Sequence, residues 1–341
     1  MIMCPIAIKK TGLMTSVGAD APSSCAAFRS KLTNPSPTRF MDSTGEWILA
    51  HQVHLEQSGR GLSKLARMGA IVICEAMADV RRTDWTNIPL FLCVAEQERP
   101  GRFEGLDDKL SDQIQELVGV RFASQSTVVP QGRVGVAVAL RQARALIQAN
   151  AVQHVLITAV DSLLSWPTLT HYDRLQRLLT QENSNGFMPG EGAGALLVGS
   201  PTGQTELICT GVGFAQELAH IDSEEPLRAE GLSVAIRMAL TEAGMAMHNF
   251  DYRITDLSGE QYYFKESSLA LSRMLHQPKD EFDLWHPAEC TGEVGALAGA
   301  SIIALADAAS RKRYGKGPNI LAHISNDAGQ RAALSLQFLN T

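Results

Sequence analysis

The chain has 341 residues, 45% of them hydrophobic, enough for a large core or for two fused half-domains. A formal net charge of −6 leaves no basic footprint for nucleic acid. Six cysteines (Cys4, Cys25, Cys74, Cys93, Cys209, Cys290) without a CxxC pair argue against a zinc site or a disulfide scaffold and fit a reducing compartment. No stretch reaches the ~20 apolar residues of a membrane span. The opening MIMCPIAIKKTGL has too short an apolar run for a signal peptide, with its lysines on the wrong side of that run. The expected setting is the cytoplasm, with neither cofactor nor metal.

Pro5 to Ile8 reads as a first strand, ended by Gly12. A small-residue loop leads to a short helix over Cys25 to Leu32, and Asn34 to Arg39 reads as a turn-rich connector. His51-Gln52-Val53-His54 has no third ligand nearby and reads as surface. Ser63 to Val80 is an amphipathic helix, with Leu65, Met68, Val72, Cys74, Ala76 and Met77 at roughly helical spacing and Ser63 as its cap. Ile88 to Val94 is a continuous apolar strand of the kind buried on both faces of a parallel sheet. Glu96 to Asp108 reads as a surface loop, Leu110 to Val118 as a helix and Ser126 to Val129 as a strand.

Val134 to Ala149 is a helix of small and apolar residues, which should be buried all round. The strand His154 to Val160 follows it. Next comes Asn183 to Val198, NSNGFMPGEGAGALLV, with Gly186, Gly190, Gly192 and Gly194 around Pro189 and Glu191. A phosphate or dinucleotide loop runs through its glycines into a helix N-terminus. Here they run into Ala195–Val198, which Ser200, Pro201 and Gly203 close, so the run reads as a buried strand. Glu206 to Phe214 is a strand, Pro226 to Gly244 a helix, Ile254 to Leu257 a strand and Lys265 to Leu275 a helix. Val294 to Ala309 repeats the small-residue helix, and Asn319 to Ile324 repeats the strand behind it. Both helices open with Val-Gly, which suggests an internal duplication. The alternation of apolar strands with helices gives an α/β class in one compact unit.

NSNGFMPGEGAGALLV resembles the DGFVMGEGAGALVLE-type segment of the β-ketoacyl-acyl-carrier-protein synthases, in the thiolase superfamily. Other pieces resemble family segments in the family's order. IAIKKTGLMTSVGAD is similar to VVITGLGxVSPxG, and HVLITAVDSLL to ADVxLAGGxDS. LTEAGMAMHNFDYRITDLSGE is similar to AL-x-AGL…IDYINAHGT. ECTGEVGALAGA is similar to KSxxGHxxGAAGA, and SNDAGQRAALSL to NSFGFGGxNAALVL. The resemblance spans essentially the whole chain. It implies the five-layer αβαβα thiolase fold with pseudo-repeated halves, about residues 1–203 and 204–341, and the two small-residue helices as its middle layer. It also implies a homodimer.

The resemblance implies a nucleophilic chemistry too. A cysteine before the first middle helix takes the acyl group as a thioester, and two histidines assist decarboxylation. The segment where that cysteine belongs reads Pro130-Gln131-Gly132-Arg133, with no Cys, Ser or Thr. The first histidine falls on Ser258, the second on Glu293, the lysine five residues earlier on Ala288, and the gating aromatic near Asp327. The resemblance therefore implies an altered site lined by Arg133, Ser258, Glu260, Glu293, Asn326 and Asp327. The favoured structural reading is an Arg133–Glu293 ion pair filling it. A Ser258 site with Glu293 and Glu260 lacks a histidine to activate the serine. Cys290, with His286 four residues before it, is the alternative nucleophile of a still active acyltransferase. The leading expectation is a ketosynthase-like protein that acts by binding. Its partner would be an acyl-carrier protein, a true ketosynthase subunit, or a secretion effector, since such chains also resemble type VI secretion accessory proteins.

Overall fold

The structure is a computed structural model that describes residues 4–56 and 59–340; the first three residues of the opening segment lie outside the described residues. The chain runs β1 (Ile6–Met14), α1 (Ala21–Ser30), the hairpin β2 (Ser36–Met41) and β3 (Trp47–Ala50), α2 (Gly61–Ala76), β4 (Leu90–Cys93), α3 (Lys109–Val118) and β5 (Thr127–Val129). It continues through α4 (Gly135–Gln148), β6 (His154–Ser162), α5 (Trp166–Arg174), β7 (Glu191–Gly199), β8 (Glu206–Gln216), α6 (Glu230–Ala243), β9 (Tyr252–Thr255) and α7 (Gln261–Met274). It ends with β10 (Leu284–Trp285), α8 (Ala288–Thr291), α9 (Ala298–Arg311), β11 (Asn319–Ser325) and β12 (Gln330–Leu339).

The main sheet is two copies of one pattern. Its order is β10-β9-β11-β12-β8-β1-β7-β6-β4-β5. With the hairpin set aside, each half numbered in chain order reads 3-2-4-5-1 from its outer edge. In each half the outer three strands are parallel and the last two pairings antiparallel. The halves meet where β1 and β8 pair antiparallel, Ile6 opposite Cys209 and Ile8 opposite Leu207.

Side-chain alternation builds the layers. Leu196 and Val198 of β7 point to a central core shared with α4 and α9, while Ala195 and Leu197 point to an outer core under α2 and α3. Ala322 and Ile324 of β11 join the same central core, whereas Leu321 lies under α6. The result is a five-layer αβαβα arrangement. α9 is buried without interruption from Ala298 to Asp307. α4 departs from the all-round burial expected of it: Arg141, Gln142 and Ala145 are exposed, so its second half is amphipathic.

Several boundaries differ from those the sequence suggests. Gly12 does not end β1. A Cβ there would lie 2.3 Å from the Val72 carbonyl oxygen, so the glycine lets α2 lie directly on the strand. Gly211 does the same under α6, where a Cβ would lie 2.1 Å from the Ala239 oxygen. Each is followed by a residue whose N–H donates to a helix carboxylate, Leu13 to Glu75 and Val212 to Glu242, a local sign of the duplication. The connector at Asn34–Arg39 contains a strand, because β2 sits in a two-stranded hairpin where Pro37 needs no central ladder bond. α1 starts earlier, at Ala21, where Asp20 caps it, and α2 starts at Gly61 rather than at a Ser63 cap. The Ser63 hydroxyl donates to the Arg60 carbonyl instead. α6 begins at Glu230, after Pro226, and ends on Gly244 in the left-handed region at φ 66°. α5 and β10 lack a periodic apolar signal and emerge only from the fold.

The two Val-Gly pairs are not equivalent. Short 3-10 turns precede both middle helices, over Gly132–Val134 and Gly295–Leu297. Gly132 (φ 50°) and Gly295 (φ 55°) take the left-handed conformation at their starts, so Gly132 corresponds to Gly295.

Candidate functional site

The turns before α4 and α9 face one another, and charged side chains from distant segments fill the space between them. Arg133, on the turn before α4, is 7% exposed. Its Nη1 lies 3.2 Å from Glu293 Oε2 and 4.0 Å from Asp256 Oδ2. Its Nη2 pairs with Asp327 and also lies 3.1 Å from the Tyr263 hydroxyl, with the guanidinium 4.9 Å from the centre of that ring.

Asp327 sits in the loop between β11 and β12 and ties several elements together. It accepts from the Tyr263 hydroxyl at 2.5 Å, the Tyr172 hydroxyl at 3.2 Å and Arg177 Nη1 at 2.9 Å. Arg177, just beyond α5, turns its Nε and Nη2 to Glu260 at 2.7 and 2.9 Å, a bidentate pair. Asn326 is buried beside Asp327 but serves its own loop, its Oδ1 accepting from the Gln330 N–H at 2.9 Å. A third arginine, Arg99, is also 7% exposed, although the segment Glu96–Asp108 reads as surface from sequence. It grips both oxygens of Asp161 at 2.8 and 2.7 Å and Glu96 at 2.7 Å. Asp161 Oδ2 in turn accepts from the Ala296 N–H at 2.7 Å, on the turn before α9.

The glycine-rich segment holds Glu293 in place. The Gly190 N–H donates to the Glu293 carbonyl and the Glu293 N–H to the Met188 carbonyl, both at 2.8 Å. A Cβ on Gly190 would lie 2.2 Å from the Thr291 carbonyl oxygen. Glu293 Oε1 accepts from the Gly295 N–H at 2.8 Å, and Oε2 accepts from the Ser258 hydroxyl at 3.1 Å. Glu191, from the same segment, is buried apart from this cluster and takes Val53 N–H, Ser162 Oγ and Lys64 as partners.

Six carboxylates (Glu96, Asp161, Asp256, Glu260, Glu293, Asp327) thus share three guanidinium groups. The excess falls on Asp256 and Glu293. Burial pushes the Asp256 carboxyl up to about 7 against the opposing pull of Arg133, and burial raises that of Glu293 as well. Asp327 goes the other way: burial would raise it, but Arg133 and Arg177 outweigh burial and hold it well below the usual carboxylate range. The cavity beside Asp256 and Glu293 is about 10 Å³, the size of one water rather than of an acyl chain.

Of the residues singled out from sequence, Arg133, Ser258, Glu260, Glu293 and Asp327 come together, and Gly132 lies beside Glu96. Ala288 is on α8. Arg99, Asp161, Tyr172, Arg177, Asp256 and Tyr263 were not singled out. Asp161 ends the HVLITAVDS strand and Asp256 precedes the Leu257-Ser258 pair, so both carried a positional signal; Arg99 and Arg177 lie in segments with none. Cys290 is fully buried, and its Sγ lies 3.9 Å from the Ala27 carbonyl oxygen. Burial pushes its thiol up to about 11, against thiolate formation. The partner of the Cys290 Sγ is that carbonyl and not His286, whose Nδ1 makes no hydrogen bond. His51, read as surface, is buried at 3% exposure against Gly292, where a Cβ would meet its ring, while His54 is exposed. Among the described residues no group of three His, Cys, Asp or Glu side chains is placed so that it could hold a metal ion.

The architecture is the thiolase-like fold of ketosynthase and chain-length-factor proteins. The chain is similar, with TM-score 0.80 and 15% identity over 98% of its length and 99% of the other's, to a chain of the complex of a type II polyketide synthase acyl-carrier protein with its ketosynthase bound to the hexaketide. It is equally similar to the ishigamide ketosynthase/chain length factor, with TM-score 0.79 and 16% identity over 98% and 99% of the two chains. A ketosynthase–chain length factor complex from Xenorhabdus doucetiae gives 0.76 and 14% over 98% of each chain. No family model matches the sequence, and no curated protein matches it. No helix among the described residues is long and apolar enough to cross a membrane.

Proposed function

We propose that this protein is a non-condensing, ketosynthase-like subunit that works by binding, as the partner of a catalytically complete ketosynthase. The observation that carries the reading is Arg133 on the turn before α4, where the family resemblance puts a nucleophilic cysteine. A guanidinium held by Glu293 and Asp327 has no means of taking an acyl group. The two positions that the resemblance gives to histidines hold Ser258 and Glu293, which hydrogen-bond to each other at 3.1 Å. Both Glu293 oxygens accept hydrogen bonds, from the Gly295 N–H and the Ser258 hydroxyl, so the two positions do not present the pair of donors that a decarboxylation oxyanion needs. The likeness to chains solved as ketosynthase–chain length factor pairs supports a pairing role.

Co-expression with a complete ketosynthase of the same organism, followed by mass measurement of the purified assembly, tests the pairing. The expected product is a one-to-one heterodimer. A chain that forms only homodimers, with the ketosynthase excluded, would sink the partner role.

A further inference from the structure

An aromatic-lined hollow lies away from the charge cluster. It is a cavity of about 630 Å³ between the end of α1, the edge strand β10, α8 and the turn after α9. Phe28, Leu305 and Cys290 form its apolar base, and the half-buried rings of Trp285 and Tyr314 form a wall. Those rings lie 6.3 Å apart at 21°, close to parallel, and Tyr252 backs Trp285 at 4.6 Å. The cavity shares no lining residue with the Arg133 cluster. Its volume is within the range of small-molecule sites, roughly 300–1,000 Å³.

The charged lining residues, Arg29 and Lys31 against Asp283 and Glu289, sum to zero but are not evenly paired. Lys31 pairs with Glu289 at 3.4 Å, and Asp283 pairs with Lys316 at 3.4 Å. Arg29 makes no ion pair among the described residues; its guanidinium lies 4.7 Å from the centre of the Tyr314 ring. One cation held over an aromatic wall is thus left without an anion. Two polar atoms are also unsatisfied. Tyr314 Oη and His286 Nδ1, both on lining residues, are buried without a hydrogen-bond partner. Both atoms are closed off from solvent, so they back the lining rather than face the cavity.

We propose that this cavity binds a small planar aromatic anion, with its ring along Trp285 and Tyr314 and its charge on Arg29. The shared chemistry is a flat π-face with one carboxylate or phosphate; an aryl carboxylate and a purine nucleotide are the two sources that supply it. This site does not depend on whether the protein condenses acyl chains.

The test is tryptophan fluorescence titration of the full chain. The probes are benzoate, nicotinate and AMP, which do not emit in the tryptophan band, with cyclohexanecarboxylate and inorganic phosphate as anions lacking a flat ring. At least one aromatic probe should saturate with a dissociation constant below ~1 mM and bind at least about tenfold more tightly than both controls. Arg29→Ala, at an exposed position, should weaken it about tenfold, and Trp285→Phe should remove most of the signal change. Preference for the carboxylates or for AMP then identifies the source. Three aromatic probes that fail to saturate by ~1 mM would overturn the proposal. So would controls that bind as well, or binding unchanged by Arg29→Ala.

Discussion

Asp327 is the side chain on which the charge cluster depends most. It contacts two buried arginines and two tyrosine hydroxyls drawn from three separate segments. Removing one partner of a buried pair leaves the other charge without compensation, which costs about 3–5 kcal/mol. Asp327→Ala should lower the unfolding free energy in urea by that amount, and a loss under about 1 kcal/mol would show that Arg133 and Arg177 do not rely on it. Asp256 has the opposite sign. Its unfolded pKa is about 3.9, and its folded value is raised to about 7. Between those values the folded protein holds a proton that the unfolded chain has lost, so this contribution is present in acid and fades as pH rises through 7. Asp327, held low, contributes above the unfolded value and is lost only in strong acid. Urea unfolding at pH 5 and pH 8 should therefore show a decline in the native chain that Asp256→Asn reduces. An equal decline in both proteins would contradict the assignment. Arg133, Ser258, Glu293 and Asp327 were legible in the sequence because each replaces a motif residue in a glycine-framed segment. Arg99 and Arg177 were not, since a buried arginine in an irregular loop looks the same as a solvated one until its carboxylate is placed.

At the scale of elements, the duplication is written in close approaches. Gly12 and Gly211 occupy matching places on β1 and β8, each against a carbonyl of the helix above. Replacing either by alanine must push α2 or α6 off its strand. Overpacking of this kind costs typically 1–3 kcal/mol, so Gly12→Ala and Gly211→Ala should both destabilise by about that much in thermal or urea unfolding. A change within about 0.5 kcal/mol at either would mean that the helix yields freely. The strands under these helices were readable because continuous apolar runs such as Leu90–Cys93 have few other uses. The hairpin β2–β3 was hidden by Pro37, and α5 by its opening Trp-Pro and a polar second half. The matching of Val134 with Val294 was misleading because sequence similarity tracked side chains. The fold repeats the left-handed glycines Gly132 and Gly295 instead.

At the scale of the whole molecule, two copies of a five-stranded half clasp α4 and α9, and the turns at the heads of those helices converge on one place. That convergence makes a reactive centre possible in such a fold, since it brings residues far apart in sequence within hydrogen-bonding distance. In this chain the same place holds three arginines and six carboxylates, with room for about one water. The glycine framework keeps Glu293 in position whether or not chemistry follows. The preserved scaffold and the altered side chains therefore carry separate information. Fold was legible across the chain, whereas activity rests on a handful of positions.

The most direct test is the intact mass of the purified protein after incubation with acyl-CoA and with acyl-carrier protein. The account predicts an unchanged mass, with no thioester on any of the six cysteines. A stoichiometric acyl adduct that disappears in Cys290→Ser would contradict it and identify an active acyltransferase.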